Sequence, residues 1–172
     1  MQIIRDAQFW IHHLNLSKHI EGGYFSEVYK SSLSLPTSGL PSHFPSKNER
    51  HICTHIYFLL EGSQFSALHR IKSDELWHFY AGDSLTIYEI ETSGRLIEHN
   101  LGANPDKNQL LFSYVKAGSW FGAILPKESG FALVGCTVSP GFDYADFEMA
   151  EREKTIHQFP QHKDVILSLT RQ

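Results

Sequence analysis

The stretch LHRIKSDELWHFYAG, residues 68 to 82, brings an imidazole and a carboxylate close together along the chain. Alternate side chains of a strand lie on one face, so Glu75 shares its face with Trp77 and Phe79. A hairpin would set His69, on the preceding strand, beside that face. We therefore expect His69 and Glu75 to be neighbours inside a sheet protein.

Such a pair is compatible with three different roles. A carboxylate that orients an imidazole makes it a general base, with His69 as the base and Glu75 as its orienter. The pair could instead be a hydrogen-bonded polar pair within a core. One imidazole and one carboxylate would hold a divalent metal only weakly, since water would fill most of its coordination shell. We expect no cofactor; a metal-dependent enzyme would need further histidines, such as His51 or His55.

Aromatic residues predict a pocket wall around this pair. Trp77 and Phe79 lie on the strand of Glu75, and Tyr57 and Trp120 join them if the alternation holds in their own strands. An aromatic wall beside a few polar groups is typical of a small-molecule site. Plain core packing would use the same residue types.

Further candidates lie near the ends of the sheet region. The spacing of Glu27 and Tyr29 places both on one strand face, and Glu27, like Glu21, reaches the cavity mouth or is solvated. The acids after the last strand fit a helix N-terminus, and among them Asp143 is the candidate that faces the barrel mouth. Most other histidines, His19 and His99 included, are expected at the surface, because they lack ligand spacing to one another.

The elements that position these residues are mainly short strands. Apolar spacing predicts a helix over residues 4 to 14. YFSEVYK reads as a strand, and 31–49 reads as a loop without period. From residue 51 onward, short strand-like runs alternate with turn signals. The strand-like runs are HICTHIYFLL, FSALHRI, ELWHFY, SLTIYEI, LIEHNL, LLFSYVKA, SWFGAIL and FALVGCTVS. The segments DFEMAEREKTIHQF and KDVILSLT return to helical character. The pattern predicts an all-β antiparallel barrel or sandwich.

Length and composition limit the class of protein. The 172 residues fit one domain over 1–172. A net charge of −4 leaves no basic surplus for a nucleic-acid partner. Arg5 and Asp6 interrupt the apolar N-terminus, so we expect neither a signal peptide nor a membrane span, and a cytoplasmic location. Cys53 and Cys136 lie far apart in strand-like runs and are expected to be reduced thiols.

The order of residues in the opening stretch resembles the first cupin motif, in which two histidines two apart precede a glutamate and, seven residues later, a glycine. His69, Glu75 and Gly82 match, while Ile71 holds the second histidine's place. The nearest stretch to the second motif, VKAGSWF, offers Phe121 where that motif has its histidine.

A wider resemblance covers about Leu14 to Arg171 and is carried by EGGYFSEVY, IYFLL, HRIKSDELWHFYAG, AGSWF, GFALVGCTVSPGFDYADFE and SLTR. Together these runs resemble the Cupin 5 family, formerly DUF985. The chain departs from the family's usual residues at Ile20, Ser26 and Lys116. The resemblance implies a double-stranded β-helix, the cupin or jelly-roll barrel, with short N- and C-terminal helices. It also implies a polar and aromatic cavity, frequent homodimers and mostly unassigned functions.

The sequence is also similar to metal-free cupin epimerases that act on sugar nucleotides with a histidine base. That similarity implies an isomerase-like or epimerase-like enzyme for a carbohydrate, sugar nucleotide or similar polar metabolite. One alternative is a sensor or carrier that binds a metabolite without changing it, because catalysis and capture need the same cavity. A metal-dependent cupin enzyme is a further alternative.

Overall fold

A computed structural model describes residues 5–44, 49–126 and 130–171. Its strands are β1 (Ser17–Lys18), β2 (Tyr24–Lys30), β3 (Ser34–Pro36), β4 (Glu49–His51), β5 (Thr54–Glu61), β6 (Phe65–Arg70), β7 (Asp74–Gly82), β8 (Leu85–Ile90), β9 (Leu96–Leu101), β10 (Phe112–Val115), β11 (Trp120–Ile124), β12 (Phe131–Ser139) and β13 (Glu148–Met149). Its α-helices are α1 (Ala7–His13), α2 (Arg152–Gln158) and α3 (Lys163–Leu169).

Two antiparallel sheets form the body of the fold. One has the strand order β1-β2-β5-β12-β7-β10 and the other the order β13-β6-β11-β8-β9. Consecutive strands such as β6 and β7 belong to different sheets, as a jelly roll requires. The predicted all-β double-stranded β-helix with short terminal helices is confirmed.

The main core lies between the two sheets, where the inward residues of each strand meet. Phe58 and Trp77 come from the six-stranded sheet, and Ile87 and Phe121 come from the five-stranded sheet. The Trp77 ring meets the rings of Phe58 and Phe121 edge to face, with centroids 6.1 and 6.4 Å away. Burial of these large rings fixes the distance between the sheets.

Helices cover part of each outer sheet face. The N-terminal helix α1 packs near Leu59 and Leu133 of the six-stranded sheet. The C-terminal helix α3 packs Ile166 and Leu169 near Leu68 of the five-stranded sheet. Within the described ranges no helix has the length and apolar character needed to cross a membrane.

A chain of hydrogen bonds joins the two sheets. The Ser113 Oγ on β10 lies 2.8 Å from the His99 Nδ1 on β9, and the His99 Nε2 lies 2.8 Å from a Glu89 carboxylate oxygen on β8. Burial opposes ionisation of Glu89, but the bonds from His99, Ser119 and the Lys116 backbone outweigh it and lower its pKa. His99 is therefore part of a structural network, and its predicted surface position was wrong.

Three predicted elements differ from the observed ones. The first helix is shorter than predicted, and Ile4 lies outside the described residues. The predicted loop 31–49 contains β3 and the start of β4, which pair as a small ladder, while 45–48 lie outside the described residues. The start of the predicted helix DFEMAEREKTIHQF is not α-helical, because Asp146 ends a 3-10 turn and Glu148 and Met149 pair with Arg70 and His69 at the edge of β6.

Candidate functional site

A cavity opens between the two sheets and has about 90 Å³ accessible to the centre of a water molecule. Its lining mixes acids, imidazoles and aromatic rings. The lining residues are His19, Glu21, Phe25, Glu27, Thr54, Ile56, His69, Ile71, Glu75, Cys136, Val138, Phe142, Tyr144 and Phe147. They come from β2, β5, β6, β7 and β12, from the turn before β2, from the turn between β6 and β7 and from the loop after β12.

The turn before β2 is built by two glycines that place Glu21 in this cavity. Gly22 and Gly23 have φ values of 115° and 68°, which favour glycine. A Cβ at Gly22 would lie 2.2 Å from the Phe65 carbonyl oxygen, so no side chain fits between this turn and β6. The Ser66 hydroxyl donates to the Glu21 carboxylate at 2.9 Å, and the side chain is thereby held in place.

His69 contacts a carboxylate through one ring nitrogen and a carbonyl through the other. Its Nδ1 lies 2.7 Å from the Ala67 carbonyl oxygen, which can only accept, so Nδ1 carries a proton. Its Nε2 lies 3.2 Å from the Glu21 Oε2. Because two lone pairs would repel each other at that contact, the His69–Glu21 pair shares one further proton. Both ring nitrogens are engaged, so the lone pairs of this pair that can accept a proton belong to the Glu21 carboxylate.

Aromatic rings and a second imidazole enclose this pair. The His69 ring is 4.1 Å from the Phe121 ring and 5.2 Å from the Phe147 ring, measured between centroids. The His19 Nδ1 lies 3.5 Å from the same Glu21 oxygen. Burial lowers the pKa of His19. The Glu21 carboxylate raises that pKa by a smaller amount, and the nearby His69 lowers it further. His19 was predicted at the surface; it lines the cavity instead.

Glu75 faces the same cavity in a different protonation state. Burial first and the Glu21 charge second raise its pKa to about 8, against a smaller opposing effect of the hydrogen bond to Cys136. Glu75 is therefore protonated at neutral pH. Burial, followed by the charge of Glu75, also raises the pKa of the Cys136 thiol.

The predicted pairing of His69 with Glu75 needs correction, because Glu21 holds the imidazole. The hairpin assumption was wrong: β6 and β7 follow one another in the chain but belong to opposite sheets. His69 and Glu75 both line the cavity, each from its own sheet.

Most of the aromatic residues predicted to form the pocket wall do not line the cavity. Trp77 and Phe79 point inward, as expected, but they pack in or against the core and do not line the cavity. Tyr57 points outward toward α1, since its neighbours Ile56 and Phe58 take the inward positions.

Trp120 also lies outside the cavity. It packs on the outer face of the five-stranded sheet beneath the Arg70 guanidinium, 4.4 Å from the ring centroid, because Phe121 takes the inward position. The aromatic wall consists instead of Phe25 on β2 and of Phe142, Tyr144 and Phe147 in the loop after β12.

The two candidate residues on β2, Glu27 and Tyr29, lie on opposite faces of the sheet. A register shift between Glu27 and Tyr29 breaks the alternation, so Glu27 lines the cavity and Tyr29 is exposed on the outer face. Asp143 does not line the cavity; its carboxylate accepts from the Ala145 amide in a local turn.

The residues that sequence reasoning underrated are Glu21, His19 and the aromatic loop. The signal for Glu21 was the acid directly before two glycines in the family-like run EGGYF. The loop aromatics were overlooked because the same segment was read as the N-terminus of a helix.

The donor set does not match the four-ligand metal site of the cupin motifs. Ile71 lines the cavity where the first motif has its second histidine, and Phe121 packs on His69 where the second motif has its own. Both nitrogens of His69 already have protein partners. No group of three or more His, Cys, Asp or Glu residues suited to a metal ion occurs in the part of the chain that is described. The expectation of no tightly bound metal stays a prediction.

Comparisons with solved structures give two similar chains over nearly full length. A protein of Shewanella oneidensis is 38% identical, with a TM-score of 0.84 and 99% of each chain covered. A hypothetical protein from Leishmania major is 35% identical, with a TM-score of 0.88, and covers 97% of this chain and 99% of its own.

More distant structures share the fold alone. Oxalate decarboxylase from Bacillus subtilis is 16% identical with a TM-score of 0.53, over 88% of this chain and 36% of its own. No curated protein matches this chain. The family model described as Cupin superfamily (DUF985) matches residues 8–150. The chain therefore belongs to the Cupin 5 (DUF985) family of the cupin superfamily.

Proposed function

We propose that this protein binds a small polar metabolite in the cavity and moves a proton on it, as an isomerase or epimerase does. The observation that carries the proposal is the pair of opposite proton carriers in one cavity. The His69–Glu21 pair has an open basic site, and Glu75 holds a proton at neutral pH. Titratable groups whose environments separate their pKa values are the usual sign of acid and base assignments.

These groups suit proton transfer next to a carbonyl group. The His69–Glu21 pair takes the proton from the carbon, and the electron pair of the broken C–H bond forms a carbon–carbon double bond. The carbonyl oxygen meanwhile accepts the proton of Glu75, so the intermediate is an enol. The pair then returns a proton to carbon while the enol oxygen returns its proton to Glu75, which gives the isomer or epimer and restores both groups. Within the pair the Glu21 carboxylate is the group that accepts the proton, and His69 is its hydrogen-bonding partner.

The main alternative is a carrier or sensor that binds the metabolite unchanged, since it would use the same cavity. Isotope exchange separates the two functions. Sugars and related carbonyl compounds are first screened for a rise in melting temperature. Each stabilising compound is then incubated with the protein in D2O, and deuterium at its carbon atoms is measured by mass spectrometry.

We expect the wild-type protein to introduce deuterium and His69→Gln to slow this exchange by about 10² to 10⁴-fold, the usual contribution of a general base. The melting temperature of His69→Gln should stay near that of the wild type, and His157→Gln, an exposed histidine on α2, is the matched control. Binding without exchange in the wild type would identify a carrier. Loss of stability alone in His69→Gln would identify a structural pair.

We further propose that two copies pair through the outer face of the six-stranded sheet. Exposed aromatic side chains, Tyr29, Tyr80, Phe112 and Tyr114, line this face. Burial, followed by the nearby His78, lowers the pKa of His55 between them, so this imidazole adds no charge at neutral pH. Five strands about 4.8 Å apart and about 25 Å long give a face of roughly 500 Å² in flat projection. Because α1 covers part of this face, the open area is smaller than the roughly 800 Å² per partner of a standard interface, so the proposed contact is a small one.

A further inference from the structure

We infer that the ligand of the cavity is a small, uncharged, hydroxyl-bearing molecule, and not a sugar phosphate, a sugar nucleotide or another anion. This inference rests on the proposed function, because it names the class of compound that the same cavity takes. Four features of the cavity carry it: its charge, its mouth, its walls and its size.

The lining residues offer no fixed positive charge. Among the described residues around the cavity there are three glutamates and two histidines, but neither lysine nor arginine. The His69–Glu21 pair is neutral as a unit, since it shares one proton at the Nε2 contact. Burial favours the uncharged form of His19, and Glu75 is protonated at neutral pH. A phosphate or carboxylate inside would thus lose its water without gaining a cationic partner.

The mouth of the cavity has a negative charge. Glu27 belongs to the lining and is also exposed to solvent, so its carboxylate lies where a ligand enters. A carboxylate at a low-dielectric opening raises the local concentration of neutral or positive molecules relative to anions.

The walls and the size suit a molecule of a few carbon atoms with hydroxyl groups. Thr54, Glu75 and the His69–Glu21 pair provide hydrogen-bonding groups, while Phe25 and Phe147 provide apolar walls. The space of about 90 Å³ is several times the roughly 10 to 15 Å³ that a cavity needs to hold one water molecule. A nucleotide is larger than this space and would extend out through the mouth.

Cys136 permits a test that needs no knowledge of the natural ligand, since its thiol lines the cavity. In a Cys53→Ser background, Cys136 is the remaining cysteine of the chain. Its rates of alkylation by neutral iodoacetamide and by anionic iodoacetate are measured at pH 7.5. The ratio of the two rates in the native protein is divided by the same ratio in urea, which removes the intrinsic difference between the reagents.

We expect the rate with iodoacetamide divided by the rate with iodoacetate to be at least ten times larger in the native protein than in urea. Glu27→Gln should reduce this excess about threefold, whereas Glu153→Gln, the same change at an exposed site on α2, should leave it unchanged. Equal native and unfolded ratios, or a native preference for iodoacetate, would overturn the inference.

Matched compounds then separate this inference from the proposed function. Glyceraldehyde is compared with glyceraldehyde 3-phosphate, and dihydroxyacetone with dihydroxyacetone phosphate, by melting temperature and deuterium exchange. If the phosphates bind better and are exchanged, the inference is wrong while the proposed function stands. If the free sugars bind without exchange, the ligand class stands while the proposed catalysis is wrong.

Discussion

At the scale of single residues, the site depends on two carboxyl groups that share one cavity but differ in protonation. Glu21 is held by Ser66 and His69, so hydrogen bonds stabilise its place at the imidazole. Glu75 is buried near Cys136, and burial favours its protonated form. The difference between the two environments gives one cavity both an acid and a base.

The raised pKa of Glu75 predicts a specific dependence of stability on pH. Between about 4.5 and 8 the folded protein keeps a proton on Glu75 that the unfolded chain has lost, so this group makes stability fall as pH rises. Glu75→Gln removes this contribution and keeps the shape of the side chain. We expect its melting temperature to exceed that of the wild type by an amount that grows from pH 5 to pH 8.

Thermal unfolding of both proteins at four pH values across this range is the measurement. The effects of other titrating groups cancel when the melting temperature of the wild type is subtracted from that of the variant. A difference in melting temperature that stays constant with pH would show that Glu75 is not protonated in the folded protein.

At the scale of elements, the cavity depends on how the loop after β12 is fixed. This loop provides Phe142, Tyr144 and Phe147 to the lining. The buried Arg50 on β4 donates hydrogen bonds to the Asp146 carboxylate and to the Gly141 carbonyl oxygen of the same loop. The strand β4, which begins at the end of the segment predicted as a loop, thus positions one wall of the site.

Breaking this ion pair should be costly. Arg50→Leu leaves the Asp146 carboxylate buried and unpaired, and we expect a loss of about 3 to 5 kcal/mol of unfolding free energy in urea denaturation. The double variant Arg50→Leu with Asp146→Leu should lose less, because it leaves no charge behind. If the loss of unfolding free energy in the double variant equals the sum of the losses in the two single variants, a direct ionic coupling is contradicted.

At the scale of the whole molecule, the exposed aromatic face predicts self-association. We expect the wild-type protein to have twice its chain mass of 19.7 kDa in light scattering coupled to size-exclusion chromatography. Phe112→Asp and Tyr114→Asp should shift the mass to that of one chain, since a buried unpaired charge disfavours the contact. Leu167→Asp on α3, away from this face, is the control. A wild-type protein of one chain mass would refute the proposal.

The sequence by itself predicted the family, the β-strands and the interior position of His69. The runs 24–30, 96–101 and 131–139 were predicted as strands and coincide with β2, β9 and β12. Alternation of side chains and turn residues are local properties, so they can be read from a few neighbouring positions.

Only the tertiary structure decided which carboxylate meets the imidazole and which side chains form the wall. Glu21 reaches His69 across a long separation in sequence, through a turn that two glycines allow. The bulge between Glu27 and Tyr29 and the division of β6 and β7 between two sheets both overrule local alternation. Strand pairing between distant segments depends on packing of the whole chain, which no short window of sequence contains.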